Sequence, residues 1–196
     1  MYRILLDSSN RDLAIGIGKE KVLIDFIQYE AWQRQSEYMI PELNRLLEKH
    51  HIDRSEIEGV VVSIGPGSYT GVRIALTIAK VMSLALSCPL YTASSLQILR
   101  KKEDPSVCLM NARSQRSYIG IYQGKQTILM DTIWKNDEVL HFLKEHPQYA
   151  VCGDVSYLGL EGEASSVLEE MLALSYEKTP VENPLGLTPV YLKDHV

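Results

Sequence analysis

Residues 63–76 read SIGPGSYTGVRIAL and place three glycines, Gly65, Gly67 and Gly71, within seven positions, between an apolar run and a long apolar helix. A strand that ends in glycines and opens a helix is a common phosphate cradle, because free backbone N–H groups and the helix dipole both face the ligand. A Walker loop would need GxxxxGK followed by Ser or Thr; here five residues separate Gly65 from Gly71, and Val72 stands in the lysine position. A dinucleotide loop would need GxGxxG and an acid about twenty positions on for the ribose. This stretch reads GxGxxxG, and the next acid after Glu58 is Glu103. The turn could instead present Ser68 as a nucleophile, but that elbow requires small residues two places either side, where Pro66 and Thr70 stand. What the local chemistry favours is a structural corner, whose glycines let strand and helix approach closely.

Other candidate groups are scattered. The histidines are His50, His51, His141, His146 and His195, and no two are spaced by four, the interval that would bring two imidazoles to one helix face for a metal. Cys88, Cys108 and Cys152 lie far apart without a CxxC pair, which excludes a zinc knuckle and a disulfide framework and fits a reduced, cytoplasmic protein. Asp7, followed by Ser8 and Ser9, ends the first apolar run; it reads either as a turn cap or as the wall of a degenerate nucleotide cleft that has lost its glycine. With a formal charge of −5 on 196 residues, a broad basic face for nucleic acid is not expected, so any RNA role would run through a partner. The uncharged run from Val81 to Leu99 contains Pro89, Gln97 and several hydroxyl residues, and reads as core rather than as a membrane span. No signal peptide is expected, because Arg3 and Asp7 would interrupt its apolar core.

The elements that must position these groups follow from periodicity. YRILLDSS, LAIGIG and VLIDFIQY predict three antiparallel strands, and the segment after Ala31 predicts a helix with a bend or restart at Pro41. GVVVSIG predicts a strand buried on both faces, followed by a helix over about 70–87, a short strand at PLYTA and a helix opened by Ser94 or Ser95. KKEDP marks a boundary, giving a first lobe over 1–102 and a smaller second lobe over 103–196. In the second, three strand-like runs precede a helix with Asn136 as its N-cap and a further strand at YAVCGD; a loop-like tail that can return to the first lobe ends the chain. A strand meander followed by βα units fits an α/β core of the ribonuclease-H or actin type.

SIGPGSYTGVRIA, together with LLDSS, RQSEYMIPEL, NARSQRSYIGIY, CGD and PVYLK, resembles the bacterial TsaB (YeaZ) family along nearly the whole chain. The resemblance implies an actin-like fold of two ribonuclease-H-like lobes, the second of them trimmed. It also implies a noncatalytic subunit of threonylcarbamoyladenosine formation in tRNA that dimerises with its catalytic paralogue TsaD. TsaE, an ATPase, and TsaC, the supplier of the threonylcarbamoyl adenylate, would act alongside. Contact with tRNA would be indirect, the chain would carry no cofactor of its own, and a nucleotide could lodge at the TsaD joint. Gln35 stands where the family pattern usually has His, and Asn111 where it usually has Asp. A glycopeptidase-like hydrolase using Ser68 is the alternative, since the wider family long carried that label.

The helix after the corner is apolar nearly all round, with Gly71, Ala75, Ala79, Ser83 and Ser87 on one ridge and Ile74, Ile78, Met82 and Leu86 on another. Burying four large side chains would contribute about 6 to 12 kcal/mol at about 1.5 to 3 each. Association itself costs roughly 4 to 15 kcal/mol, so the ridge needs help from the preceding helix. The expected partner surface is therefore Tyr38, Met39 and Leu43 with Arg73, Ile74, Ile78 and Met82, paired with a partner's helices in a four-helix seam. The other reading has these residues packing within the lobe. In isolation the same seam would allow a homodimer.

Overall fold

The computed structural model describes residues 1–102, 104–124, 126–163 and 165–192. Its first sheet has the strand order β3-β2-β1-β4-β5, built from β1 (Tyr2–Asp7), β2 (Asp12–Lys19), β3 (Val22–Glu30), β4 (Ile57–Ser63) and β5 (Leu90–Ala93). β1 to β3 form an antiparallel meander, whereas β4 runs parallel to both β1 and β5. Two helices, α1 (Gln35–Lys49) and α2 (Tyr69–Ala85), cover one face of this sheet through a core that includes Ile4, Ile15, Met39, Leu43, Ala75 and Val62.

The second sheet repeats the plan with one strand fewer, in the order β8-β7-β6-β9. It comprises β6 (Ser106–Arg113), β7 (Arg116–Gln123), β8 (Gln126–Lys135) and β9 (Ala150–Gly153), with α3 (Asn136–Glu145) on one face through Val107, Leu109, Ile119 and Val139. Its other face receives Leu96 and Leu99 from the connection between the lobes. Among the described residues no helix is long and apolar enough to cross a membrane.

Three expectations about elements need correction. The helix after Ser94 is a single 3₁₀ turn, Gln97–Leu99; Ser94 Oγ does accept the N–H groups of Leu96 and Gln97, but Arg100 is extended and the chain leaves for β6. α1 runs through Pro41 as one helix rather than restarting there. At α3 the residue before the helix is Lys135, whose N–H is taken by the Glu138 carboxylate at 2.9 Å, while Asn136 opens the helix and accepts a hydrogen bond from Ser117 Oγ.

A fourth helix, α4 (Val167–Ser175), fills the bare face of the first sheet, with Leu168, Met171 and Leu172 against Leu5, Ala14 and Val61. Gly16 and Gly18 make room for it, since a Cβ at Gly18 would lie 2.4 Å from Leu172. Two arginines fix its ends. Arg3, between the rings of Tyr91 and Tyr176, donates to the Ser175 carbonyl at 2.6 Å, and Arg100 pairs with Glu170 at 2.9 Å, both of them buried. Beyond α4 the chain runs along the first lobe, where Val181 N–H donates to the Leu90 carbonyl and Val190 N–H to the Ile64 carbonyl, before Leu192 packs against the core of the second.

Candidate binding cleft and glycine corner

Each glycine of the corner is required by a neighbouring backbone carbonyl. A Cβ would meet the Val190 oxygen at 2.7 Å from Gly65, the Ser9 oxygen at 2.3 Å from Gly67 and the Ser8 oxygen at 1.9 Å from Gly71. Gly65 also sits at φ 103°, a backbone angle that side chains resist, and its bond to Pro66 is cis. Hydrogen bonds close the approach: Ser68 N–H donates to the Ser9 carbonyl at 2.7 Å and Ser8 Oγ to the Gly71 carbonyl at 2.7 Å. Ser68 Oγ accepts Gly71 N–H at 3.2 Å and caps α2. Ser68 thus serves as the N-cap of α2 and also lines the cleft between the lobes.

Asp7, Ser8 and Ser9 are buried against this corner. Asp7 accepts hydrogen bonds from Ser63 Oγ and from Ser9 N–H, and burial pushes its carboxyl above the ordinary range despite them. A carboxyl so enclosed, held by the Ser63 hydroxyl and beside a Ser8 hydroxyl bonded to the Gly71 carbonyl, does not fit a magnesium–phosphate site. Of the two readings of Asp7, the turn cap describes its contacts; Ser8 is buried beside it, whereas Ser9 lies at the edge of the cleft between the lobes. The described histidines make separate contacts: His50 with Asp25 at 2.6 Å, His141 with Glu145 and His146 with the Phe142 carbonyl. His195 lies outside the described residues, as does the lysine of PVYLK. Among the described residues no cluster of three metal-ligating side chains occurs.

What opens to solvent is a cleft of about 800 Å³ between the two lobes, walled by Ser68, Tyr69 and Trp32 on one side and by Asn111, Arg113 and Tyr118 on the other. Arg11 lies in it too, paired with Glu30 at 2.6 Å and 5.9 Å from the Trp32 ring. Tyr191, carried in by the returning tail, stacks on Tyr69 with ring centroids 5.1 Å apart, and Arg73 donates to Tyr69 Oη at 2.6 Å. Across the cleft the β6–β7 turn holds three successive non-glycine residues in the left-handed region, Arg113, Ser114 and Gln115, at φ 63°, 51° and 56°. Such backbone costs on the order of 1 kcal/mol or more per residue and persists where its surroundings hold it. Asn111 is part of that hold, its Oδ1 accepting Arg113 N–H at 2.7 Å.

Both positions that depart from the family pattern therefore have local work. Asn111 fixes the turn, and Gln35, buried at the start of α1, reaches the Asn10 and Arg11 carbonyls at 3.4 Å. Sequence reasoning missed Trp32, Arg11 and Tyr191, which are remote from the glycines in the chain. The clustering of aromatic and arginine residues at the starts and ends of strands was the available signal.

Of the side chains expected to meet a partner, most are turned inward on α1 and α2, Arg73 being exposed. Its small ridge, from Gly71 to Ser83, faces the sheet, while Ile74, Ile78 and Met82 are half-buried against the core that α1 shares. The solvent stripe lies one position over, at Arg73, Thr77, Val81 and Leu84, with Val81 60% and Leu84 48% exposed. On α1, Met39 and Leu43 point into the core and Tyr38 is half-buried, so Met39 and Leu43 offer nothing to a partner; Ile40, 42% exposed, is the apolar residue on the outer side. A helix apolar on every side gives its outward face no signature in sequence.

A family model described as TsaD, tRNA N6-adenosine threonylcarbamoyltransferase, matches residues 29–195. The tRNA threonylcarbamoyladenosine biosynthesis protein TsaB of Bacillus subtilis is 28% identical, covering 98% of this chain and 94% of that protein. Uncharacterized protein MG208 of Mycoplasma genitalium is 30% identical, covering 100% and 96%. In three dimensions the chain resembles YeaZ from Pseudomonas aeruginosa, with a TM-score of 0.78 at 18% identity over 97% of this chain and 99% of that one. That likeness bears on the fold, and with the two sheets described above it makes this an actin-like pair of ribonuclease-H-like lobes. The chain belongs to the family that the TsaD model describes and, within it, to the TsaB (YeaZ) group.

Proposed function

We propose that this chain is a noncatalytic subunit of tRNA threonylcarbamoyladenosine biosynthesis that binds TsaD and activates it, with TsaE as a further partner. The names of its relatives support the pathway. The observation that carries the scaffold role is the corner itself, where the groups that would bind phosphate or attack a substrate are committed to backbone. Ser68 caps a helix, Asp7 is enclosed, and the three glycines face carbonyls. Their common result is a rigid seat for α2, whose outer stripe, together with Ile40 on α1, presents apolar surface that the lobe's own core does not use. Two such helices meeting the same two of a paralogue form the seam, in TsaD as heterodimer or in a second copy when the chain is alone. The chain works in the cytoplasm without a cofactor of its own, and a nucleotide at the TsaD joint is compatible with this role.

Reconstitution tests this directly. Purified TsaD, TsaC and TsaE are expected to modify tRNA only when this chain is added, and the chain is expected to co-purify with TsaD. Equal modification in its absence would sink the proposal, and peptidase activity abolished by Ser68→Ala would replace it with the hydrolase reading.

A further inference from the structure

We propose that the cleft between the lobes is a binding site for single-stranded RNA, whose bases stack on Trp32 and Tyr69 while Arg113 and Arg11, the latter shared with Glu30, meet the phosphates. Trp32 and Tyr69 are 41% and 60% exposed at the cleft, an unusual outlay of large aromatic surface for residues that no core uses. Each is accompanied by a guanidinium: Arg11 lies over Trp32, and Arg73 lies 5.1 Å from the Tyr69 ring while bonding its hydroxyl. Tyr191 backs Tyr69 in a stacked pair, which fixes that ring as a platform. On the opposite wall Arg113 is held in left-handed backbone by Asn111, so the lobe maintains strain at the position where this arginine enters the cleft.

Exposed rings interleaved with arginines are the means by which proteins hold unpaired nucleotides without reading sequence. A free nucleotide shares that chemistry, but its clustered phosphates need a metal or a loop of free amides. Asp7 and Ser8, which would supply them, are enclosed, and Ser9, at the cleft's edge, has its carbonyl taken by Ser68 N–H. A strand, with one charge per phosphate, needs only the spaced arginines. The site is local, so it coexists with the overall negative charge that argued against a broad basic face. Asp154 also lines the cleft and disfavours a wider spread of phosphates. The choice of RNA rests on the proposed role in tRNA modification. The site is tested on the isolated chain, whereas that role is tested with TsaD, so either can fail alone.

Fluorescence anisotropy of the full chain with a labelled oligoadenylate about eight nucleotides long reads the binding. Binding is expected, with quenching of tryptophan emission that disappears in Trp32→Phe. Tyr69→Ala and Trp32→Ala are each expected to weaken it roughly 5- to 150-fold, the span for one lost stacked base. Arg113→Ala should lower the slope of log affinity against log salt by about 0.7. These side chains are exposed, and unchanged thermal melting would establish that the variants fold. The proposal is overturned by no binding at about 1 mM protein, by variants that bind like the parent, or by equal binding of the same sequence as a duplex. ATP bound more tightly than the oligonucleotide would make this a small-nucleotide site, and an octaglutamate peptide bound as well would make it an acidic-peptide site; either outcome rejects the RNA assignment.

Discussion

Asp7 is a carboxyl buried between the end of the first strand and the glycine corner. Its carboxyl is more basic folded than unfolded, because burial outweighs the hydrogen bonds from Ser63 and Ser9. A group of that kind holds its proton more tightly in the folded chain. Its contribution to stability is therefore full below its ordinary value of 3.8 and is lost as pH rises through the raised one. Asn at this position keeps an oxygen to accept both hydrogen bonds and cannot ionise. Urea midpoints of Asp7→Asn and the parent should thus diverge in the variant's favour between pH 4 and neutrality; a constant difference across that range would mean the carboxyl does not titrate as described. The corner around it was legible as a corner from the missing lysine at Val72 and the missing acid after Glu58. That its three glycines each face a carbonyl was not, because Ser8, Ser9 and Val190 are brought there by other parts of the chain.

At the scale of elements, alternation and β-branched runs revealed the meander and the buried β4, since those patterns follow from the pleat. α4 was not read, and the reason is physical: VLEEMLALS is short, and most of its residues are buried, so it carries little amphipathic contrast. Its place depends on contacts from far away in sequence, above all the buried pair of Arg100 and Glu170. Glu170→Ala leaves the guanidinium buried with the Gly124 carbonyl as its one remaining acceptor among the described residues. Removing one partner of such a pair costs about 3 to 5 kcal/mol. Chemical denaturation should show a loss of that size, and hydrogen exchange should localise it to α4. A loss below about 1 kcal/mol would place the pair among exposed bridges in its effect.

For the whole molecule, the face offered to a partner separates into two predictions that the solvent stripe of α2 makes distinct. Ile78 is half-buried against the shared core, so Ile78→Glu should lower stability by about 2 kcal/mol or more and reduce binding only as a consequence. Val81 is exposed, so Val81→Glu should leave the melting temperature within a degree or two while preventing co-purification with TsaD. Equal effects of the two on folding would put the seam elsewhere.

The stitch between the Val190 amide and the Ile64 carbonyl has a consequence for synthesis on the ribosome. The first lobe begins the chain but also takes in α4 and the tail that follows, so its sheet emerges early with one face bare and its glycine corner unbraced. The second lobe, apart from its contact with Leu192, comes from an inner stretch of the chain and can close while the first still waits for α4 and the tail. The lobe that emerges first is thus completed last. Until the terminal residues arrive, the nascent chain holds out the apolar face of β1 and β2 to whatever chaperone or neighbour is present.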